Sequence, residues 1–484
     1  MEERYDFIAI GAGPAGESAA ELASFFGYRS AIIERDRPGG TVTTTGGAPT
    51  KTLREAALYF SGLRDGGVYG LRSTAAPEIV TDIIRKRTLD VCRLLQEVTA
   101  LNIARRQVDL IEGQARFAPD GCVCVATHDG RERKLRAQTV LVATGSRPFR
   151  PANVAFDMPG VCDTDTILQR GRVPKDIVIV GGGPVGVEFV TICHALGAKV
   201  TLVDRGSRLL ATMDGEISDR MTNLLKEWGV TIAFGATAES VSPKGDALEV
   251  RLSSGETFAP DTVLFAAGRV ANTDALDLDA LGIACDARGR IVVDKTFRTA
   301  AEGIYAAGDV LGPTLASIAM EQGRAAVCHA FQIPFEGTVD PTPVSAIYGM
   351  PEVSGAGLTE EQCRENGLDY ATGYADLALT PRGAIAGRGG LLKLIFLKRD
   401  RKLIGVHCIG DLASEIVGIG QMAIRCGATM STIMNMSMNT PTYAYAYKYA
   451  AFDGLSRAPG VVDKARRDAA RRRGAARRPA NAAA

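Results

Sequence analysis

The chain has 484 residues, 46% hydrophobic and 23% charged, with a net charge of +1 and ten cysteines. That length suffices for about three domains of ordinary size, each with its own core. No uninterrupted apolar run approaches the ~20 residues of a membrane span, and the near-balanced charge argues against a nucleic-acid-binding body.

The start, MEERYDFIAIGAGPAG, runs straight into a strand and a glycine turn without a charged-then-apolar leader, so a cytoplasmic protein is expected. Residues 6–34 read as an apolar strand, the turn with Gly11, Gly13 and Gly16, an Ala-rich helix, a second strand and Glu34. In this dinucleotide-binding pattern the glycines admit a pyrophosphate to a helix N-terminus and the acid accepts from a ribose hydroxyl. Residues 39–54, GGTVTTTGGAPTKTLR, follow. Pro49 suits a first helical turn and Leu53, Ala57 and Phe60 have helical spacing, which puts Gly47 just before a helix N-terminus that favours negative charge. Cys122 and Cys124 would share one strand face, but two thiols without further ligands make a poor zinc site and no metal is expected; the cysteines read as small buried hydrophobes. Residues 177–204 repeat the first unit with Gly181, Gly183, Gly186 and Asp204, and both units have a glycine-to-acid offset of 23, so two dinucleotide sites are expected. Near the end, PTYAYAYKYAA places Tyr443 and Tyr447 on one helical face and Tyr445 and Tyr449 on another. Residues 456–484 carry nine basic side chains against Asp463 and Asp468. They read as a solvated tail, with nucleic-acid or membrane binding the weaker alternative.

These segments resemble the pyridine nucleotide-disulfide oxidoreductases, the two-dinucleotide flavoproteins with the lipoamide dehydrogenase and glutathione reductase fold. LVATGSRP (141–148), with Thr144 and Gly145, resembles the close of their first FAD lobe; LFAAGRVANTDAL (264–276), with Gly268, the exit from their NAD(P) domain; and GIYAAGDV (303–310), followed by Ala316, their ribityl-binding motif with Asp309. The resemblance to the soluble pyridine-nucleotide transhydrogenases within that family spans about residues 4–457, through TGGAPTKTLREAALYFSG, GIYAAGDVLG, MEQGR, MPEVS and PTYAYAYKYAA. It implies an α/β fold: a discontinuous FAD domain (1–150 and 275–340), an NAD(P) domain (151–274), an α+β dimerisation domain (341–459) and the basic tail (460–484). FAD and NAD(H) or NADP(H) are the implied cofactors and a homodimer the implied assembly. Asp204 favours NADH by repelling a 2′-phosphate, although Arg205 and Arg208 stand near enough in sequence to meet one.

The family frame GGTCxxxGCxPSK appears without its thiols, Val42 and Gly47 replacing the two cysteines, while Thr41 and Lys51 remain. Lys51 and Glu188 match the family's ion pair beside flavin N5. The His and Glu of HPxxxE are replaced by Thr440 and Tyr445, so acid–base chemistry on thiols lacks its parts. Hydride transfer through FAD to a small organic substrate that is not a disulfide is the first expectation, with Gly47, lacking a Cβ, leaving room for a planar molecule to stack on the flavin. Gly47→Ala is then expected to be mild beside Gly47→Leu. Transhydrogenation between nicotinamides is the alternative; a flavin-binding redox sensor without turnover, and oxygen activation at the vacated flavin face, are the others.

Overall fold

Alternation along the strand Glu2–Ile10 decides the first layer: Phe7 and Ala9 point to one side and Ile8 and Ile10 to the other, and both sides are buried. The computed structural model, which describes residues 2–63, 77–334 and 339–457, sets this strand between Ser30–Glu34 and Glu132–Val142, parallel to both. Asp109–Phe117 lies beyond Ser30–Glu34 and Ile304–Ala306 beyond Glu132–Val142, again in parallel. Val123–Thr127 pairs antiparallel with Asp109–Phe117 and with Glu132–Val142. Residues far apart in sequence thus share one sheet. Helix Pro14–Phe25 covers the Phe7 side through Ala15, Ala19, Ala20 and Ala23. These small side chains let helix Ala316–Ala330 approach so closely that a Cβ on Gly323 would strike the Ala15 backbone.

The second sheet is wholly parallel, in the order Thr231–Phe234, Lys199–Asp204, Asp176–Val180, Thr262–Phe265 and Val161–Asp163. Its strands are nearly continuous runs of Val, Ile and Leu, the composition of a sheet covered on both faces. The meander Ala238–Lys244, Ala247–Leu252 and Thr257–Phe258 adds to its core.

The third sheet is antiparallel, in the order Ser345–Ile347, Glu352–Gly357, Leu403–Gly410, Gly390–Leu397 and Tyr370–Asp376. Leu392, Leu394, Phe396, Val406 and Cys408 pack with Val417, Tyr447, Ala450 and Ala451 on one face. The intervening Lys393 and His407 are register partners turned to the other face. The chain forms two compact units, and Arg208–Trp228, expected inside the NAD(P) domain at 151–274, belongs with the residues from Thr342 onward. The physical reason lies in its helix, Gly215–Glu227, which buries Ile217, Met221 and Leu225 and presents Asp214 and Glu216 to Lys393 at 2.8 and 3.3 Å. Among the described residues no helix is long and apolar enough to cross a membrane. The basic tail lies outside them.

Candidate active site

The two glycine turns have the same construction. Gly11 and Gly181 adopt φ of +110° and +121°, where L side chains rarely go, and each packs against the carbonyl of a neighbouring strand end, Ala143 and Ala266. Five residues on, a Cβ at Gly16 or Gly186 would collide with the carbonyl oxygen of the first glycine. Gly13 and Gly183 stand at the N-termini of helices Pro14–Phe25 and Pro184–Ala195 without a side-chain cap, leaving free N–H groups for an anion. Nothing lies within 4 Å of a Cβ built on Gly183, so that turn opens on free space. Glu34 Oε2 accepts from the Ala12 N–H at 2.8 Å and Oε1 from the Asp36 N–H at 2.9 Å. Asp204 accepts from the Gly182 and Gly206 N–H groups at 2.5 and 2.6 Å. Both carboxylates are therefore fixed at their strand ends, with lone pairs left for a ribose hydroxyl.

Between the two turns runs the loop 39–54. The Thr41 carbonyl accepts from the N–H groups of Thr45, Gly46 and Gly47 at 3.2, 2.9 and 3.2 Å, winding the loop tightly before helix Ala48–Phe60. Lys51, on the first turn of that helix, donates to both oxygens of Glu188 at 3.1 and 2.9 Å. Glu188 is buried on helix Pro184–Ala195, while the Lys51 side chain keeps 34% exposure, so the pair ties helix Ala48–Phe60 to helix Pro184–Ala195. The Cβ direction at Gly47 is occupied. A Cβ there would lie 2.6 Å from the Val42 carbonyl oxygen and 2.7 Å from the Val42 Cα. The Val42 backbone fills the direction a side chain at 47 would take.

A polar cluster surrounds Asp309. Its carboxylate accepts from the Ser146 hydroxyl at 2.7 Å and the Thr314 N–H at 2.9 Å, with Arg269 Nε 3.8 Å away. Arg269 donates to Ser146 Oγ and to the Ser146 carbonyl, both at 2.7 Å, and its Nη1 lies 3.7 Å from Asp165. Burial pushes the Asp165 carboxyl above its ordinary range, despite the opposing charge of Arg269. Thr144 donates to the Asn272 carbonyl at 2.8 Å and accepts, through its own carbonyl, from the Asn272 side chain at 3.0 Å. Gly145 and Gly268 turn the adjoining strand ends with φ of +70° and +109°, and Ala316 opens the helix after Asp309. The sequence reading missed Ser146, Asp165 and Arg269. Ser146 and Arg269 stand inside motifs already quoted; Asp165, in TDTIL, carries no such signal.

The chain matches two family models, pyridine nucleotide-disulphide oxidoreductase over residues 5–323 and its dimerisation domain over residues 344–451. It belongs to the pyridine nucleotide-disulphide oxidoreductases. Among curated relatives, the soluble pyridine nucleotide transhydrogenase of Mycobacterium bovis is 38% identical over 457 residues, covering 94% of this chain and 97% of that protein. The protein of the same name from Marinomonas sp. is 35% identical over 463 residues, 94% and 98%. Among solved structures, LpdA from Mycobacterium tuberculosis superposes with a TM-score of 0.86 at 25% identity, covering 92% of this chain and 99% of that one. The HOCl-induced flavoprotein disulfide reductase RclA from Escherichia coli gives 0.83 at 28% identity, 93% and 99%.

A pyridine nucleotide-disulphide oxidoreductase implies FAD and a pyridine nucleotide, and the residues present fit both. The glycine turns leave a cradle that Cβ atoms would fill, and both ribose-facing carboxylates are held in place. Arg208, one of two arginines that could have met a 2′-phosphate, instead lies 3.7 Å from Glu361. In the dimerisation domain the four tyrosines divide as the spacing predicts, although 443–445 form a 3-10 turn and the helix begins at Ala446. Tyr443 and Tyr447 are buried; Tyr447 donates to the Ile416 carbonyl and accepts from the Gly420 N–H, both inside the domain. Tyr445 and Tyr449 lie outward with their rings edge to face at 5.4 Å, and Thr440 is exposed.

Proposed function

We propose that this family member passes hydride between two pyridine nucleotides through FAD, as a transhydrogenase without redox cysteines. The observation that carries the reading is the closure of Gly47 on Val42. It leaves neither a thiol for a disulfide substrate nor a vacated side-chain space for a second molecule, so both nucleotides take turns at the face served by Gly183 and Asp204. Bound FAD would supply the two-electron acceptor and donor that neither nucleotide is to the other. The turns at Gly11, Gly13 and Gly16 with Glu34, Thr41, Thr144, Gly145, Asp309 and Ala316 would hold it. The chain's own contribution is to bind and exclude. The Gly181, Gly183 and Gly186 turn takes the pyrophosphate, Asp204 the adenosine ribose, and Gly268 the turn beside them. Lys51, restrained by Glu188, keeps a positive charge where electron density rises during the transfer. A lysine held to a buried carboxylate is costly to maintain for anchoring alone, which argues against a sensor without turnover.

A second reading, direct reduction of a small organic molecule, draws on the outward Tyr445 and Tyr449, whose rings would wall a pocket if a partner subunit brought them to the flavin. One experiment separates the readings: anaerobic reduction by NADH, then mixing with an NAD analogue of distinct absorbance, lipoamide, glutathione disulfide or candidate organic acceptors. Reoxidation by the analogue is expected, and thiol alkylation should not slow it. Turnover of lipoamide or glutathione disulfide at ~1 to 10³ per second would overturn the proposal, as would flavin that NADH leaves oxidised.

A further inference from the structure

The turn that carries Asp309 is anchored from a helix further along the chain. Gly308, just before it, is buried with φ of +79°, and a Cβ there would lie 3.3 Å from the Ala15 side chain and 3.5 Å from that of Ala319. The turn is thus wedged between helices Pro14–Phe25 and Ala316–Ala330. The Gly308 N–H opens the 3-10 turn Gly308–Leu311, where the turn itself offers no acceptor, and a buried N–H must find one elsewhere. Gln322 supplies it: from the second turn of helix Ala316–Ala330, its Oε1 accepts from the Gly308 N–H at 2.8 Å. The preceding Ala307 N–H goes to the Val142 carbonyl at 3.1 Å. One side chain therefore ties Asp309 and Ala316, two of the expected FAD contacts, into a single piece.

We propose that Gln322 is a positioning residue of the FAD site: by holding the Gly308 N–H it fixes the direction in which Asp309 presents its carboxylate to the cofactor. The inference rests on reading Asp309 as a ribityl contact. The Ser146 hydroxyl and the Thr314 N–H restrain the carboxylate oxygens themselves, whereas Gln322 restrains the backbone that leads into them. The side of Gly308 where a Cβ would stand faces the methyls of Ala15 and Ala319, which accept nothing. Without the amide oxygen, the peptide unit between Ala307 and Gly308 would turn toward another acceptor, and Asp309, as the next residue, would turn with it.

The test is a double-mutant cycle on equilibrium binding of FAD to apoprotein, followed by flavin fluorescence, with Gln322→Leu, Asp309→Ala and the two combined. Gln322→Leu should weaken FAD by roughly three- to tenfold, the size expected for a neutral hydrogen bond; Gln322→Glu, which keeps an acceptor oxygen, should lose less. Once Asp309→Ala has removed the carboxylate being positioned, Gln322→Leu should cost little more. If Gln322→Leu proves unstable, Gln322→Met, unbranched like glutamine, closes the same cycle. Additive losses, which a merely structural role would give, would overturn the inference, as would equal losses in the Leu and Glu variants or unchanged affinity in Gln322→Leu. Asp309→Ala that binds FAD as tightly as wild type would remove the ribityl contact and the inference with it. Wild-type apoprotein that takes up no FAD would instead remove the flavin reading beneath both.

Discussion

At position 47 a side chain is excluded by packing. Gly47 has φ of −91°, on the side open to any L residue, but its Cβ direction is blocked by the Val42 carbonyl and Cα at 2.6 and 2.7 Å. Backbone atoms yield less readily than side chains. Gly47→Ala is therefore expected to be damaging, at about 1–3 kcal/mol for an overpacked methyl, with a lowered melting temperature of the FAD-loaded protein. Gly183→Ala is the opposite case, since its Cβ would enter free space at the nucleotide turn. It should leave the melting temperature near wild type while weakening NADH by obstructing the approach of the pyrophosphate. Calorimetry of both variants with an NADH titration checks the pair; a destabilised Gly183→Ala or a neutral Gly47→Ala would show the loop packing to be misjudged.

The helix Gly215–Glu227 is held by charge as much as by its apolar face. Lys393 is wholly buried and meets Asp214 at 2.8 Å, Glu216 at 3.3 Å and also Glu360. His407, its register partner, is buried too, with Nε2 2.9 Å from the Leu358 carbonyl and, among the described residues, no partner for Nδ1. Nε2 thus carries the proton and donates it in the neutral ring. Burial holds the His407 pKa below its ordinary value, against the opposing pull of Asp214 and Glu361 and with the help of Lys393. The sign follows: below about pH 6.5 the unfolded chain binds a proton that the folded imidazole refuses. Stability is full above that pH and falls as pH drops toward the depressed folded value. His194 is shifted the same way by burial and adds its own slope. His407→Gln should flatten the part due to His407, measured as urea midpoints of both proteins between about pH 5 and 7.5; parallel curves would show that His407 titrates alike in the folded and the unfolded chain.

At the scale of the molecule, the dimerisation domain leaves apolar side chains uncovered in the single chain: Leu379 is 80% exposed, Phe452 65% and Ile385 57%. A homodimer accounts for them, as the family match implies. Thr440 and Tyr445 are expected to line the partner subunit's flavin pocket. Each site would then need Lys51 from one chain and Tyr445 from the other, so mixing Lys51→Met with Tyr445→Ala should restore one good site per heterodimer. Turnover in the mixture above the mean of the two parents checks this. Absence of complementation would confine Tyr445 to packing or to its own subunit.

Local pattern was enough for the nucleotide turns. Gly16 and Gly186, with Glu34 and Asp204, act through contacts a few residues to about two dozen residues along the chain, and such spacing is written in the sequence. So is the absence of cysteine at positions 42 and 47, which is a matter of which atoms are present. The split of the tyrosines followed from helical spacing, although the first turn tightened to a 3-10 form. What depended on distant backbone was not legible. The closure of Gly47 on Val42 depends on how the Thr41 carbonyl gathers three N–H groups, and the affiliation of residues 208–228 depends on a lysine more than 160 positions away. Asp165 stood in an unremarked loop until the fold brought Arg269 and Thr45 beside it. Sequence spacing determines which groups a short segment can present; only the folded chain decides which of them remain unsatisfied, because burial and hydrogen-bond partnership are sums over contacts that sequence distance does not order.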